Sequence, residues 1–423
     1  MTKLKDIKEE FSKYIVIKDR WILDVVLHVH VGNSFIQRDP IWTMIVAPSS
    51  GGKSTVIAPS SGISVVHFLD DLTEKTLLSG FKIKGQEVSL LKMIGSGIIC
   101  FSDFTAILSK NPQSAGEILG QLRLVYDGVF IKQTGTGKIE WRGKIGVLAA
   151  ATPDVYFKLE QARSMGERFG YYCMEQPTDE EIAQKQATLN LSAKDITALM
   201  SPYYRDYYAG LRDWKTLHGV LPLSMSPGQR ERLKLAVILS VNGKATVHTN
   251  FKTGKVDQIP NKAGVGRDNK MAEASLHTYQ FMDGYENGDP NYPLQNDRIE
   301  LVEKQAYSSV SRERRKILEI LSFCEEDDRL SASQIGTMRG LGLEKESVEM
   351  YLTPLHAIGM IQKIVGNPHR WYIRDQDIRE FICRVSKGVD DYIPQSNDTD
   401  NEFTSTIKQS YKEIDFFGDS EEF

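Results

Sequence analysis

The chain has 423 residues, of which 41% are hydrophobic and 26% are charged. This composition is typical of a soluble chain that is long enough for two or three domains. The formal net charge of −4 excludes a uniformly basic nucleic-acid coat, although it leaves room for a local basic groove. No run of about 18 apolar residues occurs, so we expect no membrane span and no membrane partner.

The N-terminus and the cysteines favour a cytoplasmic location. The first residues, MTKLKDIKEEFSKY, are charged helical sequence without the apolar segment of a signal peptide. The four cysteines, at positions 100, 173, 324 and 383, follow no metal-site or disulfide spacing. We therefore expect a reducing cytosol around the protein.

After a predicted helical lead-in at residues 1–40, an apolar strand at residues 41–46 ends in the loop APSSGGKS. The loop fits the pattern G-x-x-x-x-G-K-[ST], except that alanine replaces the first glycine. Small residues between a buried strand and a helix allow backbone N–H groups to face a phosphate. We predict a site for ATP and Mg²⁺, in which Lys53 binds the β and γ phosphates and Ser54 binds the metal. The predicted contacts are Ala47, Pro48, Ser49, Ser50, Gly51, Gly52, Lys53, Ser54 and Thr55.

The letters APSSG occur again at residues 58–62, but there they lack the Gly-Lys that follows the first copy. They lead into an apolar run at residues 63–69, which predicts another strand. We interpret the second copy as the turn that closes a short helix. The sequence therefore predicts one phosphate site.

Two later apolar runs end in polar residues that suit a phosphate site. The run at residues 97–104 ends with Asp103, a candidate for binding the metal or the attacking water. The run at residues 144–153 ends with Thr152, which could donate to the water or to the γ-phosphate. Each signal is weak alone, because many strands end in an acid and a threonine before proline is common.

Two further elements carry positive charge. Alternating residues at 129–141 surround a Thr-Gly-Thr-Gly turn, which predicts a β-hairpin with Lys132 and Lys138 on its strands. Arg168 precedes an aromatic residue and could reach the nucleotide of a neighbouring subunit. The alternatives are a plain surface hairpin and an ordinary surface arginine.

The C-terminal half is predicted to be helical at residues 177–308 and to form a winged helix at residues 309–376. A winged helix binds DNA or docks on protein, and the glutamates at positions 344, 346 and 349 argue against tight major-groove binding. Residues 377–423 are polar and acidic, which predicts a disordered tail. It resembles the acidic tails with which phage single-strand-binding and helicase proteins recruit replication proteins, and the alternative is a tail that only solubilises the chain.

The order of these motifs resembles that of AAA+ ATPases, and most closely the MCM-type replicative helicases. In that family the corresponding segments are a DEF motif, an AAANP sensor and an SRF arginine finger. Here they are Ser102-Asp103-Phe104, AAATP at residues 149–153 and Glu167-Arg168-Phe169. The resemblance covers roughly residues 20–280, and it extends to ATPases of phages and mobile elements.

The resemblance implies an α/β fold: an AAA+ core at residues 41–176 with a parallel sheet between helical layers, then a helical lid at 177–308 and the winged helix. It also implies a homo-oligomeric ring, typically a hexamer, in the cytoplasm of a bacterial host if the gene is phage-borne. The hairpin would enter a central channel, where Lys138, supported by Lys132, would contact single-stranded DNA. Arg168 would act on a neighbour, and Arg267 would be a second sensor unless it is an ordinary surface arginine.

Two departures from the family pattern leave the function open. Asp103 stands alone where the family has Asp-Glu, so it either holds Mg²⁺ or positions water while Ser54 alone anchors the metal. Thr152 replaces asparagine and has a shorter reach. We expect a DNA helicase; the alternatives are a non-translocating loader or regulator, and a DNA-binding protein with a degenerate ATPase site.

Overall fold

A parallel β-sheet forms the centre of the structure, which is a computed structural model. It describes residues 2–73, 75–79, 82–83, 86–87, 89–134, 137–162, 168–188, 191–245, 247–250, 256–258, 260, 262, 264–324, 329–338 and 341–386. The chain divides into two compact units, Met1–Lys244 with Ala263–Ser309 and Ala245–Lys262 with Val310–Phe423. The segment 245–262, which lies within the predicted lid region, therefore belongs to the second unit.

The first unit alternates strands and helices. Its strands are β1 (Trp42–Val46), β2 (Val66–Leu69), β3 (Lys82–Ile83), β4 (Gln86–Glu87), β5 (Gly97–Phe101), β6 (Val129–Thr134), β7 (Gly137–Arg142), β8 (Ile145–Ala151) and β9 (Gly170–Cys173). Its helices are α1 (Leu4–Tyr14), α2 (Ile22–Phe35), α3 (Lys53–Ile57), α4 (Leu90–Ile94), α5 (Phe104–Leu108), α6 (Pro112–Tyr126), α7 (Val155–Ala162), α8 (Asp179–Thr188), α9 (Ala193–His218), α10 (Pro227–Gly243), α11 (Val265–Asn287) and α12 (Asn296–Tyr307). The second APSSG copy forms a 3-10 helix, Ala58–Gly62, directly after α3.

Within the described residues, the central sheet has five strands in the order β2-β5-β8-β1-β9, and each neighbouring pair is parallel. A parallel sheet is covered on both faces, which is why its strands are continuous apolar runs in the sequence. Alternate residues of β1 enter two separate cores: Ile45 enters the first and Met44 the second. The predicted α/β fold with a parallel sheet is confirmed.

Helices cover the two faces of the sheet. The first core includes residues of α1, α2, α9, α10, α11 and α12. Nearly all of α2 is buried, so the predicted lead-in contributes a central helix to this core. The second core includes residues of α5, α6, α7 and the β6–β7 hairpin. No helix within the described residues is both long enough and apolar enough to cross a membrane.

The second unit contains helices and a small antiparallel sheet with the strand order β10-β12-β11. Its elements are α13 (Arg312–Ser322), β10 (Leu330–Ser331), α14 (Ala332–Thr337), α15 (Lys345–Ala357), β11 (Gln362–Ile364), β12 (Arg370–Tyr372) and α16 (Gln376–Ser386). Each helix and the hairpin that the sequence predicts between residues 312 and 373 is present. The prediction of a disordered tail from residue 377 is wrong at its start, because α16 buries Phe381 and Ile382; the rest of the predicted tail, residues 387–423, lies outside the described residues.

Candidate functional site

Three predicted site residues follow neighbouring strands at one edge of the sheet. The loop that contains Lys53 follows β1, Thr152 follows β8, and Asp103 lies two residues after β5. Because β8 lies between β1 and β5, the carboxyl ends of these strands are side by side. The amide of Ala47 donates to the carbonyl of Ala151 across 3.2 Å, which joins the start of the loop to the end of β8. Ligands of open α/β sheets bind at this edge.

The loop after β1 has a backbone conformation that suits an anion. Ser50 and Gly52 have φ angles of 64° and 75°, both in the left-handed region. Left-handed residues in a turn direct successive N–H groups into one concavity, which binds anions. A serine in this region is uncommon and strained, and such strain is concentrated at functional sites. The loop can therefore hold a phosphate.

Gly51 lies where a side chain would not fit. A Cβ atom there would lie 2.4 Å from Oε1 of Gln176 and 3.0 Å from the carbonyl oxygen of Pro48. The Gly51 amide also donates to that carbonyl across 3.1 Å, which closes the turn. Gln176, which follows β9, is therefore a neighbour of the loop, although no motif in the sequence singles it out.

Lys53 is held inside the loop. Its Nζ donates to the carbonyl oxygens of Ala47 and Pro48, each across 2.6 Å, and the residue is 8% exposed. Burial lowers the pKa of Lys53, and the Asp103 carboxylate offsets part of that change. The structure thus brings the lysine and the acid together, and the lysine can neutralise an anion at the loop.

Thr105 connects Asp103 to Thr152. Oδ1 of Asp103 accepts from the amide of Thr105 across 2.9 Å, so the acid caps the N-terminus of α5. Oγ1 of Thr105 accepts from the amide of Thr152 across 2.9 Å and from its hydroxyl across 3.3 Å. Sequence reasoning missed Thr105, although an acid two residues before a threonine at a helix start is a capping signal that could have identified it.

Two oxygen donors at this edge could hold a divalent ion. Ser54 is exposed at the start of α3, and Asp103 is exposed and has one oxygen beyond the bond to Thr105. A hydroxyl and a carboxylate suit Mg²⁺, which completes its coordination with water and phosphate oxygens. The described residues contain no group of three or more His, Cys, Asp or Glu side chains arranged to hold a metal.

The two predicted arginines lie together at the opposite edge of the sheet. Arg168 comes just before β9, whose first residue, Gly170, pairs with Thr43 near the start of β1. Arg267 lies in the first turn of α11, close enough to Arg168 for its charge to influence that residue's pKa. This edge is about 16 Å from the loop, the length of five strand residues. One chain therefore does not bring its arginines to its own lysine.

Arg168 is buried in a cluster that the sequence did not predict. It is 4% exposed, its Nη2 lies 3.3 Å from Oδ1 of Asp127, and its guanidinium lies 5.6 Å from the centre of the Tyr126 ring. Burial lowers the pKa of Arg168, the Asp127 carboxylate opposes this, and the charges of Arg267 and Arg123 add to it. Among the described residues, Nε of Arg168 and the hydroxyl of Tyr126 are buried without a hydrogen-bond partner. An additional anion would stabilise this edge.

The two predicted lysines of the β6–β7 hairpin point to opposite faces. Lys132 pairs with Ile139, which is buried, and its Nζ donates to the carbonyl of Leu78 across 3.2 Å. Lys138 lies on the exposed face, with its Nζ 3.0 Å from Glu140. Residues 135–136 of the turn lie outside the described residues. Lys132 therefore does not extend the exposed charge of Lys138.

Comparison with known proteins adds no family assignment. No protein-family model matches the sequence, and no curated protein matches it. The function is therefore inferred from the residues of the two sheet edges and the hairpin.

Proposed function

We propose that the protein is an ATP-hydrolysing AAA+ motor that acts on DNA, as an MCM-like replicative helicase. The observation that carries this proposal is the position of Lys53, buried inside a left-handed loop beside Asp103 at the carboxyl edge of a parallel sheet. A lysine beneath such a loop is the arrangement with which P-loop enzymes bind the phosphates of a nucleotide. The motif order of the sequence supports the narrower AAA+ assignment.

The residues of the carboxyl edge fit a nucleotide and its Mg²⁺. The loop amides and Lys53 would contact the phosphates, and Ser54 and Asp103 would hold the metal. When bound, Mg²⁺ supplies positive charge that offsets the charge of the transferring phosphoryl group. Thr152, fixed by Thr105, would orient the water that attacks. Electrostatic stabilisation and positioning supply most of the rate in this reaction class.

Asp103 has little capacity for a second task. One of its oxygens already accepts the Thr105 amide, which fixes the orientation of the carboxylate and leaves the other oxygen as the freer ligand. One carboxylate would have to serve both the metal and the attacking water, tasks that two acids share in the family that the motif order resembles. We infer a slow basal turnover.

The arginine edge would complete the site of a neighbouring subunit. Arg168 and Arg267 lie at the opposite edge from the loop of their own chain, so they would act on a bound nucleotide only across a subunit contact. Contacts between unlike surfaces generate rings when the rotation closes, which fits a homohexamer. A γ-phosphate would be the additional anion that the cluster of Arg168, Arg267 and Arg123 favours.

A non-translocating switch is the second candidate, and α15 favours it. In the winged-helix interpretation of the second unit, α15 takes the recognition position. Its N-cap residue Glu344 and Glu346 of its first turn are exposed, and Met350 is 58% exposed farther along. Acids repel DNA phosphates, whereas an apolar residue among them suits a protein surface. A loader or regulator would use this helix to dock on a partner protein.

The test is an ATPase assay of wild type, Lys53→Ala and Lys234→Ala, with and without single-stranded DNA. Lys234 is a matched control because its side chain is 65% exposed on α10. We expect Lys53→Ala to abolish hydrolysis without lowering the melting temperature, and Lys234→Ala to behave as wild type. Hydrolysis at the wild-type rate in Lys53→Ala would remove the loop from the mechanism. Hydrolysis without DNA stimulation or strand displacement would favour the switch.

A further inference from the structure

The helix that carries Lys53 and Ser54 is too short to be stable by itself. α3 has five residues, Lys53–Ile57, and the chain then passes directly into the 3-10 helix Ala58–Gly62. Pro59 has no N–H group with which to continue the α-helical hydrogen bonds. An isolated helix of this length does not form in water, because its first turn costs more free energy than it returns. Contacts from other elements must therefore set the direction of α3.

Tyr204 of α9 makes one of these contacts. Its hydroxyl donates to the carbonyl oxygen of Val56 across 2.8 Å, and both residues are fully buried. The last four carbonyl groups of a helix need partners outside its own ladder, and Val56 is the next-to-last residue of α3. Burial raises the pKa of Tyr204, so the hydroxyl stays protonated and remains a donor at physiological pH.

The 3-10 helix that follows α3 is also fixed in place. A Cβ atom on Gly62 would lie 2.5 Å from the carbonyl oxygen of Ser201, so this backbone touches the backbone of α9. Nε2 of His30, in α2, lies 2.7 Å from the Ser60 hydroxyl, and both side chains are buried. Close-packed interiors transmit displacements, so a shift of α9 would reach α3 through these contacts.

We propose that Tyr204 is a positioning residue of the phosphate site: its hydroxyl holds α3 in the direction that presents Lys53 and Ser54 to a bound nucleotide. The inference rests on the proposed function, because it adds a residue that serves the same site. Tyr204 acts through Val56 rather than on the nucleotide. Since α9 lies in the predicted lid region at residues 177–308, the hydrogen bond couples that region to the loop.

The coupling works in both directions. A nucleotide and Mg²⁺ that fix Lys53 and Ser54 would also favour the position of α3 in which Val56 accepts from Tyr204, and coupling free energies between sites are reciprocal. Nucleotide binding should therefore stabilise α9. Conversely, loss of the hydroxyl should let α3 move. A displacement of about 1 Å can lower a rate about 100-fold, so kcat should suffer more than the affinity for ATP.

The first experiment compares Tyr204→Phe with Tyr207→Phe, each of which removes one hydroxyl from a buried tyrosine of α9. Tyr207 is the matched control because it is equally buried, while its ring packs against that of Tyr285 in α11. We expect Tyr204→Phe to lower kcat about tenfold or more and to raise the Mg²⁺ concentration that gives the half-maximal rate. Tyr207→Phe should keep the wild-type kcat and Mg²⁺ dependence. The melting temperature of each variant measures the loss of stability separately.

The second experiment uses the wild-type protein alone, so it does not depend on the folding of a variant. Amide hydrogen exchange is measured with and without a non-hydrolysable ATP analogue and Mg²⁺. We expect slower exchange in the loop and also in α9 around Tyr204. Helix α6, which packs in the second core, is the reference and should exchange at the same rate in both samples.

The outcomes separate this inference from the proposed function. If wild type hydrolyses ATP and Tyr204→Phe retains its kcat and Mg²⁺ dependence, the positioning role is wrong while the ATPase stands. The same holds if both variants lose kcat in proportion to their melting temperatures, because Tyr204 then contributes stability alone. If the analogue slows exchange in the loop but not in α9, the coupling is wrong. If wild type neither binds the analogue nor hydrolyses ATP, the proposed function fails and the inference falls with it.

Discussion

Arg168 and Asp127 form an ion pair in which the side chain of the arginine is 5% exposed and that of the aspartate is 51% exposed. The pair is long, with Nη2 of the arginine 3.3 Å from both carboxylate oxygens. The arginine therefore carries a buried charge that its partner neutralises only in part. An anion brought to this edge by another molecule could replace Asp127 as the principal partner.

Mixed preparations should show that Arg168 acts on a neighbouring chain. In a mixture of Arg168→Ala and Lys53→Ala subunits, an intact loop can meet an intact arginine at some contacts, so ATPase activity should partly recover. The measurement is the ATPase rate against the mixing ratio under conditions that permit subunit exchange. A mixture of Lys53→Ala and Asp103→Ala is the control and should stay inactive, because every site at the carboxyl edge lacks either Lys53 or Asp103. If neither mixture recovers ATPase activity although subunits exchange, the assignment of Arg168 to a neighbouring chain is contradicted.

The hydroxyl of Thr105 should matter for turnover. Thr105→Val keeps the shape but removes the acceptor of the Thr152 amide, and an unpaired buried group costs about 1–3 kcal/mol. We expect a lower free energy of unfolding and a fall in kcat, with KM nearly unchanged because the loop is intact. Thr105→Ser retains the hydroxyl and should restore kcat. Denaturant unfolding and ATPase kinetics measure both effects; wild-type kcat in the valine variant would show that the bridge is dispensable.

The two APSSG copies should respond differently to the same change. Gly51→Ala places a methyl group 2.4 Å from Gln176 and 3.0 Å from Pro48, which disturbs the loop. We expect nucleotide affinity to fall about tenfold, equivalent to about 1.4 kcal/mol, with an unchanged melting temperature. Gly62→Ala places a methyl group 2.5 Å from the Ser201 carbonyl of α9, and overpacking of this kind costs about 1–3 kcal/mol of stability.

Binding of a fluorescent ATP analogue and thermal unfolding of both variants provide the comparison. The double variant Gly51→Ala with Gln176→Ala separates the two contacts at Gly51, because it leaves only the approach to Pro48. If Gly62→Ala weakens nucleotide binding and Gly51→Ala does not, the phosphate loop has been assigned to the wrong copy.

Stability should fall in mild acid because of two buried histidines in α2. Burial lowers the pKa of His28 to about 4 and that of His30 to about 3, against an ordinary value of 6.5. Below pH 6.5 the unfolded chain takes up protons that the folded chain does not, so stability falls as the pH drops from 6.5 to about 4. The slope is at most about 1.4 kcal/mol per pH unit for each histidine. Urea unfolding at a series of pH values measures it.

The substitution His30→Gln tests the origin of this slope. Nε2 of His30 lies 2.7 Å from the Ser60 hydroxyl, and a glutamine amide can still bond to that hydroxyl without titrating. The variant should therefore show a shallower loss of stability between pH 6.5 and 4. An unchanged slope would mean that His30 is not the source.

The apolar runs predicted the strands well, because a strand that is buried on both faces of a sheet is apolar at nearly every position. The first and last strands of the site, β1 and β8, lie within one residue or two of the predicted runs at 41–46 and 144–153. The motif order also led us to expect Lys53, Asp103 and Thr152 at one nucleotide site. The strand order itself was not contained in any local pattern, since pairing depends on contacts far apart in the chain.

The direction in which a side chain points was harder to predict than the positions of the helices and strands. The face on which Lys132 lies depends on hairpin register, which is fixed by the packing of Trp141 rather than by the lysine. The burial of Arg168 depends on Tyr126 and Asp127, some forty residues earlier in the chain. Thr105 acts through a hydrogen bond to the next strand, and only the folded sheet brings these groups together.

The loop and the arginines lie at opposite edges of the sheet, so the proposed ATPase activity would depend on the contact between two chains. In the proposed ring, a single chain would carry half of one reaction centre at each edge and a complete centre at neither. In the proposed ring, the rate per mole would rise with protein concentration and collapse on dilution below the dissociation constant of the contact between chains. The number of copies in the cell would then set when the activity begins, without any separate inhibitor.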